Sequence, residues 1–312
     1  MRTYVAKATK AFQPKTGMER SSWRRSAIFW YRCGILVEQR GANSRSGVPM
    51  EIDPKRMTLG FVGTGTITEA VVTGLGKTAF RDTPIVLSPR SASVAARLAA
   101  TNRNVSVALG NQDVLDRSDL VFLAVRPQIA EEVIRSLRFR PGHHVISFVA
   151  ATPVDQLLAW IDQPVRRLSL AIPLPFVADL QGATAIYPPD EVSHTLFSEL
   201  GTAIQVEDKQ EFELLAVASC LMATYFGILD ATSTWLQSKG LSGTAGDAYL
   251  RQLFSGLAHA ARSKPVASFD ELIGEHSTKG GLNEQVLEDF RAFGGAAALQ
   301  KALDRILVRI RL

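Results

Sequence analysis

The chain has 312 residues, 46% hydrophobic and 21% charged, which are the proportions of a globular protein of about two domains. Its two cysteines, Cys33 and Cys220, exclude a disulfide framework and a cysteine-based zinc cluster. The basic pI of about 9.3 has a local origin: residues 1–56 hold 12 of the 35 Lys and Arg but 4 of the 30 Asp and Glu, leaving 23 basic and 26 acidic residues elsewhere. No nucleic-acid partner is expected, because the body carries no basic surplus for a binding face. No membrane span is expected either, since no uninterrupted apolar run reaches about 18 residues.

Residues 1–56 are rich in Arg and Ser and poor in acids. Two readings stand open. The stretch is an organelle-targeting leader, or it is a tail upstream of a true start at Met50 or Met57. A secretory signal is not expected, because Arg32 interrupts the apolar patch. The rest is expected to be cytoplasmic.

From Met57 the elements alternate. Thr58–Val62 reads as a strand, the turn Gly63-Thr64-Gly65 follows, and Ile67, Ala70, Val71, Gly74 and Leu75 recur at helical spacing. Strands are expected at Pro84–Leu87, Val105–Val107, Leu120–Val125 and His144–Val149, with helices at Ala92–Ala100 and Ala130–Leu137. Weaker strands follow at Arg166–Leu170, Ala183–Ile186 and Ala203–Val206. Alternation of this kind predicts an α/β fold, a Rossmann-like doubly wound, mostly parallel sheet over residues 57–208. From Lys209 the chain holds one proline, Pro265, and long helical periodicities such as Leu214, Leu215, Ala218, Leu221, Met222, Tyr225, Phe226 and Leu229. Residues 209–312 are therefore read as an all-helical domain. Its wide apolar face predicts a homodimer, or a higher assembly of dimers.

Gly63-x-Gly65-x-x-Thr68 lies between the first strand and the first helix. Glycines there let the backbone of Gly63, Thr64, Gly65, Thr66 and Ile67 approach a pyrophosphate, which the helix N-terminus attracts. The second strand ends in Ser88-Pro89-Arg90-Ser91, with no carboxylate for a ribose 2′-hydroxyl. Hydroxyls of Ser88 and Ser91 and the guanidinium of Arg90 suit a 2′-phosphate, so NADP(H) is the expected cofactor. Ala124, Val125 and Pro127 follow the fourth strand at the carboxyl edge, where the nicotinamide is expected. Pro127 should open a helix. Gly280, Gly281 and Asn283 precede another helix and offer either an ordinary cap or a site for a substrate carboxylate. His143, His144, His194, His259 and His276 show no metal-ligand spacing, and no catalytic residue stands out.

Leu59–Ala70, Asp119–Gln128 ("DLVFLAVRPQ") and Val145–Ala150 resemble the pyrroline-5-carboxylate reductases over roughly residues 57–312. The resemblance implies an NADP-dependent reductase of the proline pathway, transferring hydride to the C=N bond of a small cyclic imino acid, and dimerisation through the helical domain. It implies substrate contacts at Tyr225 and at the Gly280–Asn283 segment. That segment departs from the family pattern, with Leu282 and Asn283 where the family has threonines. Arg126 stands where the family usually has lysine. Two other readings remain: a β-hydroxyacid dehydrogenase, disfavoured because Glu211–Leu229 lacks a lysine, and a dinucleotide-binding sensor without catalysis.

Overall fold

A computed structural model of the chain describes Asp53, Pro54 and residues 56–311. The expectation for residues 1–56 therefore lies almost wholly outside the described residues. Eight strands form one sheet: β1 (Leu59–Val62), β2 (Ile85–Leu87), β3 (Val105–Val107), β4 (Leu120–Leu123), β5 (His144–Ser147), β6 (Arg167–Ile172), β7 (Gly182–Tyr187) and β8 (Gly201–Gln205). Their order is β3-β2-β1-β4-β5-β6-β7-β8. Every neighbouring pair is parallel except β6 and β7. Residues 173–181, which join β6 to β7, are too few for the crossover of about a dozen residues that a parallel partner needs. They fold instead into a short 3-10 turn, Pro175–Asp179. The strand order reverses beside β1, so a crevice opens at the carboxyl ends of β1 and β4.

The sheet is covered on both faces. α1 (Thr66–Leu75), α2 (Ala92–Thr101), α3 (Asn111–Asp116), α4 (Pro127–Arg135), α5 (Val154–Ile161) and α6 (Glu191–Ser198) are its helices. Alternate strand residues divide between two cores: Leu59, Phe61, Leu120, Phe122 and Ile146 enter one, and Val62, Val121, Leu123 and Val145 the other. This period of two, with both sets apolar, is the pattern of a sheet buried on both sides. The rings of Phe61 and Phe122 stack across β1 and β4 at 4.3 Å. Pro127 opens α4, as expected. The short helices α3, α5 and α6 have no counterpart in the sequence reading.

Two buried histidines lie at the amino edge of the sheet, away from the crevice. His144 Nε2 meets Asp190 Oδ1 at 3.0 Å, and that oxygen also accepts from the Ser193 amide and hydroxyl. Arg167 Nε lies 3.4 Å from Asp190 Oδ2. Burial alone would raise the Asp190 pKa, but the His144 and Ser193 hydrogen bonds hold it below the ordinary value. Burial pushes His143 below its ordinary value, opposed by its bond to the Leu115 carbonyl and helped by the Arg140 guanidinium.

The remaining chain is helical: α7 (Lys209–Ser219), α8 (Met222–Ser238), α9 (Gly243–Ser263), α10 (Phe269–His276), α11 (Leu282–Ala292) and α12 (Gly295–Arg311). Asp208, Ser242 and Ser268 cap α7, α9 and α10 through side-chain oxygens. The long helix expected from Glu211 breaks at Cys220–Leu221 into α7 and α8. Among the described residues of this region, Val217, Ser233, Gly246 and Leu250 are the buried ones. Phe226, Trp235 and Tyr249 are 57%, 59% and 67% exposed. Ties to the sheet include Tyr187 against Phe212, ring centroids 5.9 Å apart, and a hydrogen bond from Arg262 to Gln181.

Taken end to end, α7 and α8 (Lys209–Ser238) are long and apolar enough to cross a membrane by length and composition, with mean hydropathy 1.8 over the most apolar stretch. Ser219, Thr224 and Gly227 interrupt the apolar run, and the mean stays high despite them. One such helix is weak evidence for a span, and its apolar surface has another account below.

Candidate cofactor and substrate site

The turn after β1 is held by its own hydroxyl groups. Gly63 adopts φ +106°, and a Cβ there would lie 2.3 Å from the Ala124 carbonyl oxygen, so the ends of β1 and β4 approach as only glycine permits. The Gly63 amide donates to Ser88 Oγ at 2.9 Å. Thr64 Oγ1 donates to the Ser88 carbonyl at 2.7 Å and lies 3.1 Å from Ser88 Oγ. Thr68 Oγ1 donates to the Gly63 carbonyl at 2.7 Å. Thr68, the last position of the Gly63-x-Gly65-x-x-Thr68 pattern, is thus fully buried and closes the turn from the helix side.

These contacts correct the reading of Ser88. Its side chain is fully buried beneath the turn and braces Gly63 and Thr64, so it has no hydroxyl to offer a 2′-phosphate. Arg90 is exposed, with no ion pair or hydrogen bond among the described residues. Ser91 stands at the N-cap of α2 without making a side-chain cap, which leaves its hydroxyl available.

Gly65 is the open point. It is the N-cap of α1, nothing lies within 4 Å of the Cβ it lacks, and no side chain caps the helix. Thr66 and Ile67 begin that helix, so their amides are among the donors an α-helix leaves without internal partners. Ala124 and Val125 are half-buried beside this turn, and Pro127 is exposed at the start of α4. A glycine turn open at Gly65, an uncapped helix start and an unpaired guanidinium after β2 suit a dinucleotide phosphate on each count.

The Gly280–Asn283 segment differs from its expectation. Gly280, at φ +73°, donates its amide to Glu284 Oε2 at 2.5 Å. The Gly281 amide donates to the Thr278 carbonyl at 2.7 Å, and Asn283 Nδ2 to the His276 carbonyl at 2.8 Å. The donors assigned to a substrate carboxylate are therefore already paired within the segment, and Leu282 beside them is 82% exposed. Tyr225 packs edge-on against Phe226 and Phe254, at 5.2 and 5.7 Å. Among the described residues, no hydrogen bond, ion pair or ring contact joins Tyr225 or residues 277–283 to the β1–β4 crevice. The structure thus brings together the cofactor residues, Ser88 in a bracing role, and leaves the substrate residues apart from them within one chain.

Comparison with known proteins separates the same two halves. Residues 58–151 match a family model described as NADP oxidoreductase coenzyme F420-dependent. Residues 210–311 match one described as pyrroline-5-carboxylate reductase dimerisation. A pyrroline-5-carboxylate reductase of Pseudomonas aeruginosa is 26% identical over 256 residues, covering 79% of this chain and 93% of the relative. The chain is thus similar to pyrroline-5-carboxylate reductases along most of its length. The fold of the reductase from Coxiella burnetii matches with a TM-score of 0.70 at 21% identity, over 81% of this chain and 97% of the other. The Plasmodium falciparum reductase, solved with NADP bound, matches at 0.69 and 14% identity, over 82% and 97%. The match at residues 210–311 supports association of copies through these apolar helices.

Proposed function

We propose that the chain is an NADP-dependent reductase of a small cyclic imino acid, of the pyrroline-5-carboxylate reductase type. The observation that carries the reading is the open, hydroxyl-braced turn at Gly63–Gly65, with unpaired Arg90 at the end of the neighbouring strand. Similarity to the pyrroline-5-carboxylate reductases narrows the reaction to C=N reduction. In this reading residues 57–208 hold the cofactor and residues 209–312 pair two copies into a homodimer and carry substrate contacts.

Backbone amides of Gly65, Thr66 and Ile67 would receive the pyrophosphate at the N-terminus of α1, with Gly63 and Thr64 shaping the turn. Arg90 and Ser91 would hold the 2′-phosphate, and Ala124, Val125 and Pro127 would flank the nicotinamide. The cofactor supplies hydride. The chain's own part is position and exclusion of water. A protonated imine already accepts hydride, and the segments after β4 and β5 present Ala124, Val125, Phe148 and Val149 rather than an acid or base. Catalysis here is chiefly orientation.

The test is a steady-state assay with pyrroline-5-carboxylate and either NADPH or NADH, following nicotinamide absorbance and proline formation. Proline formed stoichiometrically with NADPH oxidation, with NADPH preferred, is the expected result. NADPH binding without turnover of any cyclic imine would assign the chain to a sensor role instead.

A further inference from the structure

The carboxyl edge of the sheet holds little charge. The residues immediately after β1 to β6 are 63–65, 88–91, 108–110, 124–126, 148–153 and 173–174. Across these six segments the charged side chains are Arg90 and Arg126. They follow β2 and β4, on opposite sides of β1 and so on opposite sides of the crevice. Each side chain is exposed and without an ion pair or hydrogen bond among the described residues. Arg126 is also the N-cap residue of α4, in extended conformation and with no side-chain cap.

A dinucleotide laid across a switch point places its adenosine ribose at the end of β2 and its reactive end on the β4 side. Arg90 therefore belongs to the adenosine half and Arg126 to the half where hydride is delivered. The neighbouring segment after β5, Phe148-Val149-Ala150-Ala151-Thr152-Pro153, has no ionisable side chain. A carboxylate brought there loses water and finds one cation. The other candidate anchor, the turn at Gly280–Gly281, has those two amides already paired, one of them with the carboxylate of Glu284.

Resting on the reductase reading above, we propose that Arg126 anchors the substrate carboxylate and so determines specificity for carboxylated cyclic imines. Its planar guanidinium can take a carboxylate through two parallel hydrogen bonds, fixing the imine's orientation as well as its position. A lysine there supplies charge without that geometry. Arg126 acts on binding and takes no part in bond making or breaking.

The experiment compares wild type, Arg126→Ala and Arg126→Lys with saturating NADPH on two substrates: pyrroline-5-carboxylate and the same ring without its carboxylate. NADPH dissociation constants are measured separately by fluorescence titration. Arg126→Ala should raise KM for the carboxylated imine about 10- to 100-fold, the range for a charged hydrogen bond, while KM for the uncarboxylated ring stays within about twofold. Arg126→Lys should recover part of the loss, and NADPH affinity should stay within about twofold in both variants. Equal KM rises on the two imines would overturn the assignment. A tenfold or greater loss of NADPH affinity would also overturn it, giving Arg126 to the cofactor. Wild type that binds NADPH but reduces neither imine would instead remove the reductase reading, and this inference with it.

Discussion

Alanine placed at Gly63 and at Gly65 should produce opposite phenotypes two residues apart. At Gly63 the backbone has φ +106°, and the added Cβ would lie 2.3 Å from the Ala124 carbonyl oxygen. Holding a non-glycine residue in such a conformation costs about 1–3 kcal/mol. The clash is with backbone, so β1 and β4 must also part, and about 3 kcal/mol is expected in all. For a body of this size that lowers Tm by about 6–12 °C. At Gly65 φ is −96° and the new Cβ meets nothing within 4 Å. Alanine is a poorer N-cap than glycine, so about 0.5–1 kcal/mol is expected, or about 1–4 °C. The Cβ does enter the space assigned to the pyrophosphate. NADPH affinity should fall at least about tenfold, equivalent to about 1.4 kcal/mol. Differential scanning calorimetry and NADPH titration on both variants decide the matter. If Gly65→Ala binds NADPH like wild type, the open side of the turn is not the phosphate site.

Ser88→Ala should cost about 1–3 kcal/mol by stripping the Gly63 amide of its partner while preserving the NADPH-over-NADH preference. Arg90→Ala should do the reverse, lowering NADPH affinity about 10- to 100-fold with stability and NADH affinity little changed; paired melts and titrations separate them. As pH falls below about 6.5 the unfolded chain protonates before His143 does, so stability declines until pH passes the lowered folded pKa. Asp190 adds stability that is complete above about pH 3.9 and drains away as pH falls towards its depressed folded pKa; urea unfolding across pH 3–8 should show both limbs, the lower one flattened in Asp190→Asn. Wild type should be dimeric or larger in light scattering at micromolar concentration, and Phe226→Glu should weaken association at least about 100-fold by burying a charge. A monomeric wild type would contradict that reading.

The sheet was legible where strands are apolar throughout, as in Leu120–Leu123, and where proline marks a helix start, as at Pro127. The short helices α5 and α6 escaped because fewer than three turns leave little periodicity to read. β7 was expected as a strand at Ala183–Ile186, but its antiparallel direction escaped because residues of a strand carry no sign of direction. Ser88 was assigned to the wrong side because β2 is buried on both faces, so alternation does not tell inward from outward at its end. The break at Cys220–Leu221 has no glycine or proline to announce it. At Gly280 a signal was present: Glu284, in the first turn of α11, is placed to accept amides just before its own helix. Tyr225 was singled out by the family resemblance alone, and its ring belongs to an aromatic trio between α8 and α9.

The bonds among Thr64, Thr68, Ser88 and Gly63 have a kinetic consequence. The shape of the turn is fixed by groups internal to the chain, so a ligand arriving there has no loop to order. Little of its interaction energy is diverted into lost backbone freedom. Association should then follow a single phase, with a rate linear in ligand concentration and free of the plateau that a slow rearrangement imposes. Differences in affinity among nucleotides would reside in how fast each one leaves.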